Sequence, residues 1–318
     1  MDLLHSWGVN VAVHLQTEHG NFEKLFHWVS SVADLHTTFF VFFPIWFHLR
    51  RDVGVKLIWV AVVGDWLNLV LKWVLFGERP YWWVHETRFY GPIKHPELKQ
   101  FPITCETGPV ISPVRFLQLM LWTLLGFVEL LVCMSRVYLA AHFPHQVISG
   151  VMSGIIVAEI FSRQQWIYSA GLKKYMSMTL FLLSFAVGFY ALLKVLGVDL
   201  LWTLEKAQKW CVNPEWVLMD STPFASLLRN MGTLFGLGLG LHLSCRRVNN
   251  SASFTFGRIC VSLVLLQVLD SLTFSSTNQF LFYLLSFCKS AAAPVLPTAL
   301  VPAAFAWISQ RSEEKKDM

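Results

Sequence analysis

Charge is scarce in this chain. Only 14% of its 318 residues are charged, against about a quarter in a typical soluble domain. With 55% hydrophobic residues and a mean hydropathy of +0.51, that shortage excludes an ordinary water-soluble globule. The net charge of +5 is small, and no basic tract reaches the density that nucleic-acid binding requires. No Asp, Glu, His or Cys grouping has the spacing of a metal site, so neither a metal nor a cofactor is expected. The N-terminus, Met1-Asp2-Leu3-Leu4-His5, lacks a cationic segment followed by an apolar one. No cleaved signal is therefore expected, and the first span should act as its own anchor. Internal repeats and low-complexity linkers are missing as well.

What is present is a series of apolar runs. They cover roughly 25–48, 55–76, 114–134, 147–161, 175–198, 224–243, 260–272 and 280–308, most of them long enough for the ~30 Å hydrocarbon layer. Only helices or closed barrels satisfy the backbone in lipid. The expectation is an all-α polytopic transmembrane bundle of about eight spans, with 1–318 as one integral-membrane domain in contact with the lipid bilayer. Arg50, Arg51 and Lys56 mark the loop after the first run as cytosolic by the positive-inside rule, which puts the N-terminus and Arg79 in the lumen. Residues 1–24 read as a surface segment with His14, His19 and Glu23 solvated. Between 79 and 109, five prolines argue against a continued helix, and Tyr81-Trp82-Trp83 reads as an interfacial aromatic belt. Gly232, Gly236, Gly238 and Gly240 would permit close helix approach. Cys133, Cys245, Cys260 and Cys288 lie in or beside apolar runs as small hydrophobes. Cys105 and Cys211 lie in polar loops, where the balance favours free thiols and an oxidising lumen would allow pairing. The sequon Asn249-Asn250-Ser251 falls on a basic loop and would go unused.

Two clusters carry chemistry. Lys72 and Arg79 are seven positions apart at the edge of one apolar run; Arg136 and His142 are six apart at the edge of another. Ionisable groups at membrane depth are costly and usually face a functional cavity. Lys72, Arg79 and Arg136 could converge on a dianion, because guanidinium forks match phosphate oxygens. A neutral His142 beside a cation-bound phosphate is a plausible nucleophile. Taken singly, each cation could equally snorkel to the interface, and a lone His near a span end more often packs than reacts.

Lys72-x6-Arg79-Pro80 and Ser135-Arg136-x5-His142 resemble the first and third signatures of the type 2 phosphatidic acid phosphatase and haloperoxidase superfamily. Gly64-Asp65-Trp66-Leu67-Asn68-Leu69, Arg79-Pro80-Tyr81-Trp82-Trp83, Phe101-Pro102-Ile103-Thr104-Cys105-Glu106-Thr107-Gly108-Pro109 and Ala141-His142-Phe143-Pro144-His145-Gln146 are similar to the glucose-6-phosphatase catalytic subunits. The resemblance implies hydrolysis of glucose 6-phosphate in the lumen of the endoplasmic reticulum, for gluconeogenesis and glycogenolysis. It implies His142 as the nucleophile forming a phosphohistidine, Lys72, Arg79 and Arg136 as the phosphate-binding cations, and the glucose-6-phosphate transporter as partner. In the wider superfamily an acidic residue four positions after the nucleophile orients it; Gln146 stands there in this chain. The tail Glu313-Glu314-Lys315-Lys316-Asp317-Met318 looks like a dilysine retrieval signal on Lys315 and Lys316.

The second signature is missing. Where the family continues Thr-Gly-Pro into Gly-Ser-Pro-Ser-Gly-His, this chain continues Thr107-Gly108-Pro109 into Val110-Ile111-Ser112. That His is the family's general acid, and no general acid is found here; His85 and His145 are the nearby imidazoles, both poor substitutes. A following span is missing too, so the family's nine crossings become about eight, consistent with an internal deletion at about 109–110. If 114–134 crosses normally, His142 emerges on the opposite side from Arg79. Little turnover is then expected. The alternative is a non-catalytic truncated isoform acting as a membrane binding or interaction protein. A transporter or channel is the third reading, without the matched broken helices it would call for.

Overall fold

A computed structural model describes residues 2–75, 77–90, 96–105, 120–198, 202–217, 222–244, 252–273 and 278–314, with backbone only over 120–127, 252–254 and 312–314. The Pro109–Val110 join, Cys245, the sequon Asn249-Asn250-Ser251 and the tail lysines Lys315 and Lys316 lie outside them. Every element among the described residues is helical. In chain order these are α1 (Asp2–Glu18), α2 (Glu23–Val32), the single turn α3 (Leu35–Thr37), α4 (Phe43–Leu49), α5 (Arg51–Leu75) and α6 (Pro80–Glu86). Then come α7 (Met120–Tyr138), α8 (Pro144–Ser162), the short α9 (Trp166–Ser169), α10 (Leu172–Val195) and α11 (Trp202–Trp210). α12 (Pro223–Leu243), α13 (Ala252–Ser271), α14 (Gln279–Val295) and α15 (Val301–Glu314) complete the chain. The protein is an all-α, multi-pass membrane protein.

By length and composition, four helical stretches among the described residues can cross a membrane: Arg51–Glu86, Pro144–Ser162, Leu172–Val195 and Gln279–Arg311. A fifth is added if the bent pair Gly20–Val32 and Leu35–Leu49 counts as one span. The expected count of eight is thus not reproduced. The outward faces explain why these helices suit lipid. Ile148, Met152, Ile156 and Ile160 on α8, and Leu180, Phe181 and Phe185 on α10, are all exposed, and apolar side chains presented in such numbers by each helix would be penalised in water.

The chain divides into two compact units. The first comprises Met1–Asp34, Leu67–Glu159 and Gly188–Ser226; the second comprises Leu35–Trp66, Ile160–Val187 and Leu227–Met318. In the second, α13 packs on α4 and α15. An added Cβ at Gly236 would collide with the Ala291 carbonyl and one at Gly232 would press on the Phe287 carbonyl. These glycines let α12 lie directly on α14, the close approach that small residues allow in membranes. Asn230 on α12 donates to the buried carboxylate of Asp65 on α5, an interhelical polar contact strengthened by its burial.

The first unit holds both sequence clusters. Here α1 and α2 pack on α7, and α1 and α11 pack on α6. The N-terminal segment is therefore a helix with Val9 and Ala12 in the core, not a loose surface stretch. Tyr81, Trp82 and Trp83 are buried among Val9, Val84, Phe143 and Ala207, which corrects their reading as an interfacial belt. An aromatic triplet suits either place, because each ring combines a large apolar body with at most one polar tip; packing decides. Cys105 and Cys211 form a disulfide across a separation of 106 residues, correcting the expectation of free thiols. The two cysteines lie on segments also joined by Gln100, whose side chain accepts from the Val212 N–H at 3.0 Å and donates to the Trp210 carbonyl at 3.2 Å.

Candidate active site

The first cluster is shaped by one dipeptide. Pro80 opens α6 at N1, where its missing N–H costs nothing, and it pushes the preceding residue out of the helical region. Arg79 accordingly has extended backbone, φ −117° and ψ 149°. Its side chain turns inward, only 2% exposed, and its guanidinium donates to the Thr104 carbonyl at 3.1 Å. Thr104 is itself fully buried. Its hydroxyl accepts from the Phe101 N–H at 2.9 Å and donates to the Leu139 carbonyl at 2.6 Å. Lys72 sits in the last turn of α5, half-buried, with its stem beside Gly77.

The second cluster is shaped by a helix end. α7 stops with Ala140 in the left-handed region, φ 51°. The Ala141 N–H reaches the Arg136 carbonyl at 3.1 Å and the Ala140 N–H reaches Val137 at 3.0 Å, the paired bonds of a Schellman termination. The chain thus doubles back after Tyr138, so that His142 returns over the same helix end that carries Arg136. Its N–H also points to the Arg136 carbonyl, at 3.4 Å. Arg136 is 4% exposed and donates to the Ser30 carbonyl at 3.4 Å. Pro144 then starts α8.

The two clusters meet. The His142 ring is held well below the usual imidazole range, first by burial and then by the positive charges of Arg79, Arg136 and Lys72. Both clusters belong to the first unit, and the cations of each act on the one ring. The His142 Nδ1 is enclosed and makes no hydrogen bond among the described residues. Such a surround disfavours the imidazolium and suits a phosphate dianion.

Several contributors were not singled out by spacing. Thr104 links the Arg79 and His142 segments, and Ser30 supports Arg136. Glu78 receives Trp82 and Lys206, and Lys206 also bridges to Glu86 at 2.7 Å. Nothing in the sequence pairs positions 78, 86 and 206. His85 stacks on Trp210 and His145 stacks on His5 and Phe143.

Comparison with known proteins shows the family. Residues 53–169, which contain all four residues, match the PAP2 superfamily. The chain is 59% identical to the glucose-6-phosphatase catalytic subunit 1 of Haplochromis nubilus, covering 100% of both chains. It is 51% identical to that of Bos taurus, over 99% of this chain and 98% of the relative. With the human glucose-6-phosphatase 2 it shares 42% identity over 99% of each. The chain belongs to the glucose-6-phosphatase family. It is a phosphoric monoester hydrolase by that membership. No solved structure matches it. The alignment with the Haplochromis nubilus relative spans 352 positions while using all 318 residues of this chain, so 34 positions of that glucose-6-phosphatase face no residue here.

Proposed function

We propose that this site hydrolyses glucose 6-phosphate to glucose and phosphate through a phosphohistidine on His142. Lys72, Arg79 and Arg136 hold the phosphoryl oxygens and offset charge as it spreads over them. The imidazole lone pair attacks phosphorus while the bond to the sugar oxygen breaks, and that oxygen leaves with the electron pair. Water then attacks the phosphohistidine, the P–N bond breaks, and neutral imidazole and phosphate are released. The observation that carries this reading is the enclosed His142 ring, held well below the usual imidazole range by burial and by the charge of those three cations.

The sugar oxygen needs a proton as it departs, and the Ser-Gly-His segment that supplies the family's acid is missing from the sequence. The longer alignments of the relatives support an internal deletion, which we put at about 109–110. General acid catalysis is worth roughly 10²–10⁴ in rate, so turnover of glucose 6-phosphate is low. We further propose an endoplasmic reticulum membrane location with the site facing the lumen, supplied by the glucose-6-phosphate transporter and serving gluconeogenesis and glycogenolysis. The Cys105–Cys211 disulfide supports an oxidising compartment, and Lys315 and Lys316 would provide retrieval.

The test compares two phosphate esters in phosphatase-null microsomes, with a full-length relative as reference. p-Nitrophenyl phosphate expels a stable anion and needs no acid. We expect its hydrolysis to depend on His142 and to survive, while glucose 6-phosphate hydrolysis falls by roughly 10²–10⁴. Glucose release equal to the relative's would overturn the defect. Nitrophenolate release no faster than in His142→Ala would overturn the phosphohistidine and leave the second reading, a non-catalytic truncated isoform, which the 34 unmatched positions of the relative favour.

A further inference from the structure

Gln146 uses both ends of its side-chain amide. Its Oε1 accepts the Phe143 N–H at 3.1 Å, and its Nε2 donates to the Glu78 carbonyl at 2.8 Å. Phe143 follows His142 and Glu78 precedes Arg79, so one side chain spans the loops of the two clusters. The amide also lies against Gly77, where an added Cβ would sit 3.7 Å from Nε2. The Glu78 side chain is engaged separately by Trp82 and by Lys206, whose Nζ lies 3.1 Å from Oε1. That leaves the Glu78 main-chain oxygen turned to Gln146.

The two bonds differ in meaning. Gln146 is the third residue of α8, and its acceptor bond to Phe143 is half of a capping box. A structural role needs nothing more, and a carboxylate would fill it equally well at a helix N-terminus. The donor bond to Glu78 does nothing for the helix. It joins position 78 to position 146, 68 residues apart, and an ionised carboxylate, which has no hydrogen to donate, cannot make it.

On the reading proposed above, we infer that Gln146 is a positioning residue: its amide fixes the loop of the His142 nucleophile to the loop of the phosphate-holding Arg79. It does this through main-chain atoms, without orienting the imidazole ring. The superfamily pattern of an acidic residue at this place suggests the opposite, a carboxylate acting on the histidine itself. The two ideas make different predictions for one substitution. Glu at 146 retains the cap but turns an oxygen towards the Glu78 carbonyl, so the cross-loop bond is replaced by repulsion between acceptors.

The test uses the full chain in membranes with p-nitrophenyl phosphate, comparing wild type, Gln146→Glu, Gln146→Ala and His142→Ala. Thermal stabilisation by orthovanadate is measured on the same samples. We expect Gln146→Glu to melt close to wild type without ligand, because the cap survives. Its kcat should fall about as far as that of Gln146→Ala, by up to ~10²-fold for a displacement of about an ångström, with KM changed much less. Vanadate stabilisation should shrink in both variants. A Gln146→Glu protein with wild-type kcat and wild-type vanadate stabilisation overturns the staple and supports a carboxylate-like role. Wild type that matches His142→Ala in nitrophenolate release and gains nothing from vanadate overturns the underlying site instead, and the staple with it.

Discussion

Arg79 and Thr104 form the hinge between sequence and site. The guanidinium of one donates to the main-chain oxygen of the other at 3.1 Å, and the Thr104 hydroxyl passes the connection on to Leu139, three residues before His142. Arg79 and the segment that carries His142, from distant parts of the chain, are thereby registered through one buried threonine.

Thr104→Val should be costly. It leaves the Leu139 carbonyl and the Phe101 N–H without their partner in a buried place, a loss of about 2–4 kcal/mol. Thr104→Ser keeps both bonds and should stay within about 1.5 kcal/mol of wild type, the lost methyl being the main change. Thermal melting in detergent, alongside nitrophenolate release, distinguishes the two.

The Cys105–Cys211 bond closes a long loop beside Thr104. Cys105→Ser or Cys211→Ser should lower stability by about 2–4 kcal/mol. The double variant should cost no more than either single one, since each already removes the bond. Maleimide labelling of denatured, unreduced protein checks the pairing: neither Cys105 nor Cys211 should label in wild type.

Burial and the charges of Arg79, Arg136 and Lys72 depress the folded-state pKa of His142. The unfolded chain therefore takes up this proton first as pH falls. The stability associated with a neutral His142 is complete above its unfolded value, about 6.5, and is lost progressively below it towards the folded value. Relative to His142→Gln, wild type should lose up to ~1.4 kcal/mol per pH unit between pH 6 and 5. Parallel melts at pH 7.5, 6 and 5 would reveal this; curves that stay parallel across the range contradict a depressed imidazole.

Ala140 takes a left-handed conformation, φ 51°, at the turn that brings His142 back over Arg136, and it is fully buried. A β-branched side chain is a poor fit to such backbone. Ala140→Val should destabilise by about 2 kcal/mol or more, from the left-handed penalty and overpacking together, and nitrophenolate release should fall with it.

Gly8 offers a matched test of close packing. An added Cβ would lie 2.8 Å from the Phe143 ring and 3.0 Å from Pro144, so Gly8→Ala should press on the turn that carries His142 and cost about 1–3 kcal/mol. Gly20→Ala, which meets nothing within 4 Å, is the control and should leave melting and activity near wild type.

The sequence by itself determined the membrane character and the helical class, and it singled out four ionisable residues that the fold brings together. Each follows from short-range information. Apolar runs need only length, a proline restricts its own neighbour, and Lys72, Arg79, Arg136 and His142 stand out because ionisable groups are costly where they lie. Pro80 even dictated the extended backbone of Arg79. What only the tertiary structure decided depends on partners far along the chain. The burial of Tyr81-Trp82-Trp83 required α1 and Phe143; the pairing of Cys105 with Cys211 required their segments to be brought together. The links from Arg79 through Thr104 to Leu139, and from Glu78 through Gln146 to Phe143, run through main-chain oxygens and an N–H. Such atoms are the same in every residue and leave no mark in the sequence, so packing alone selects which of them meet.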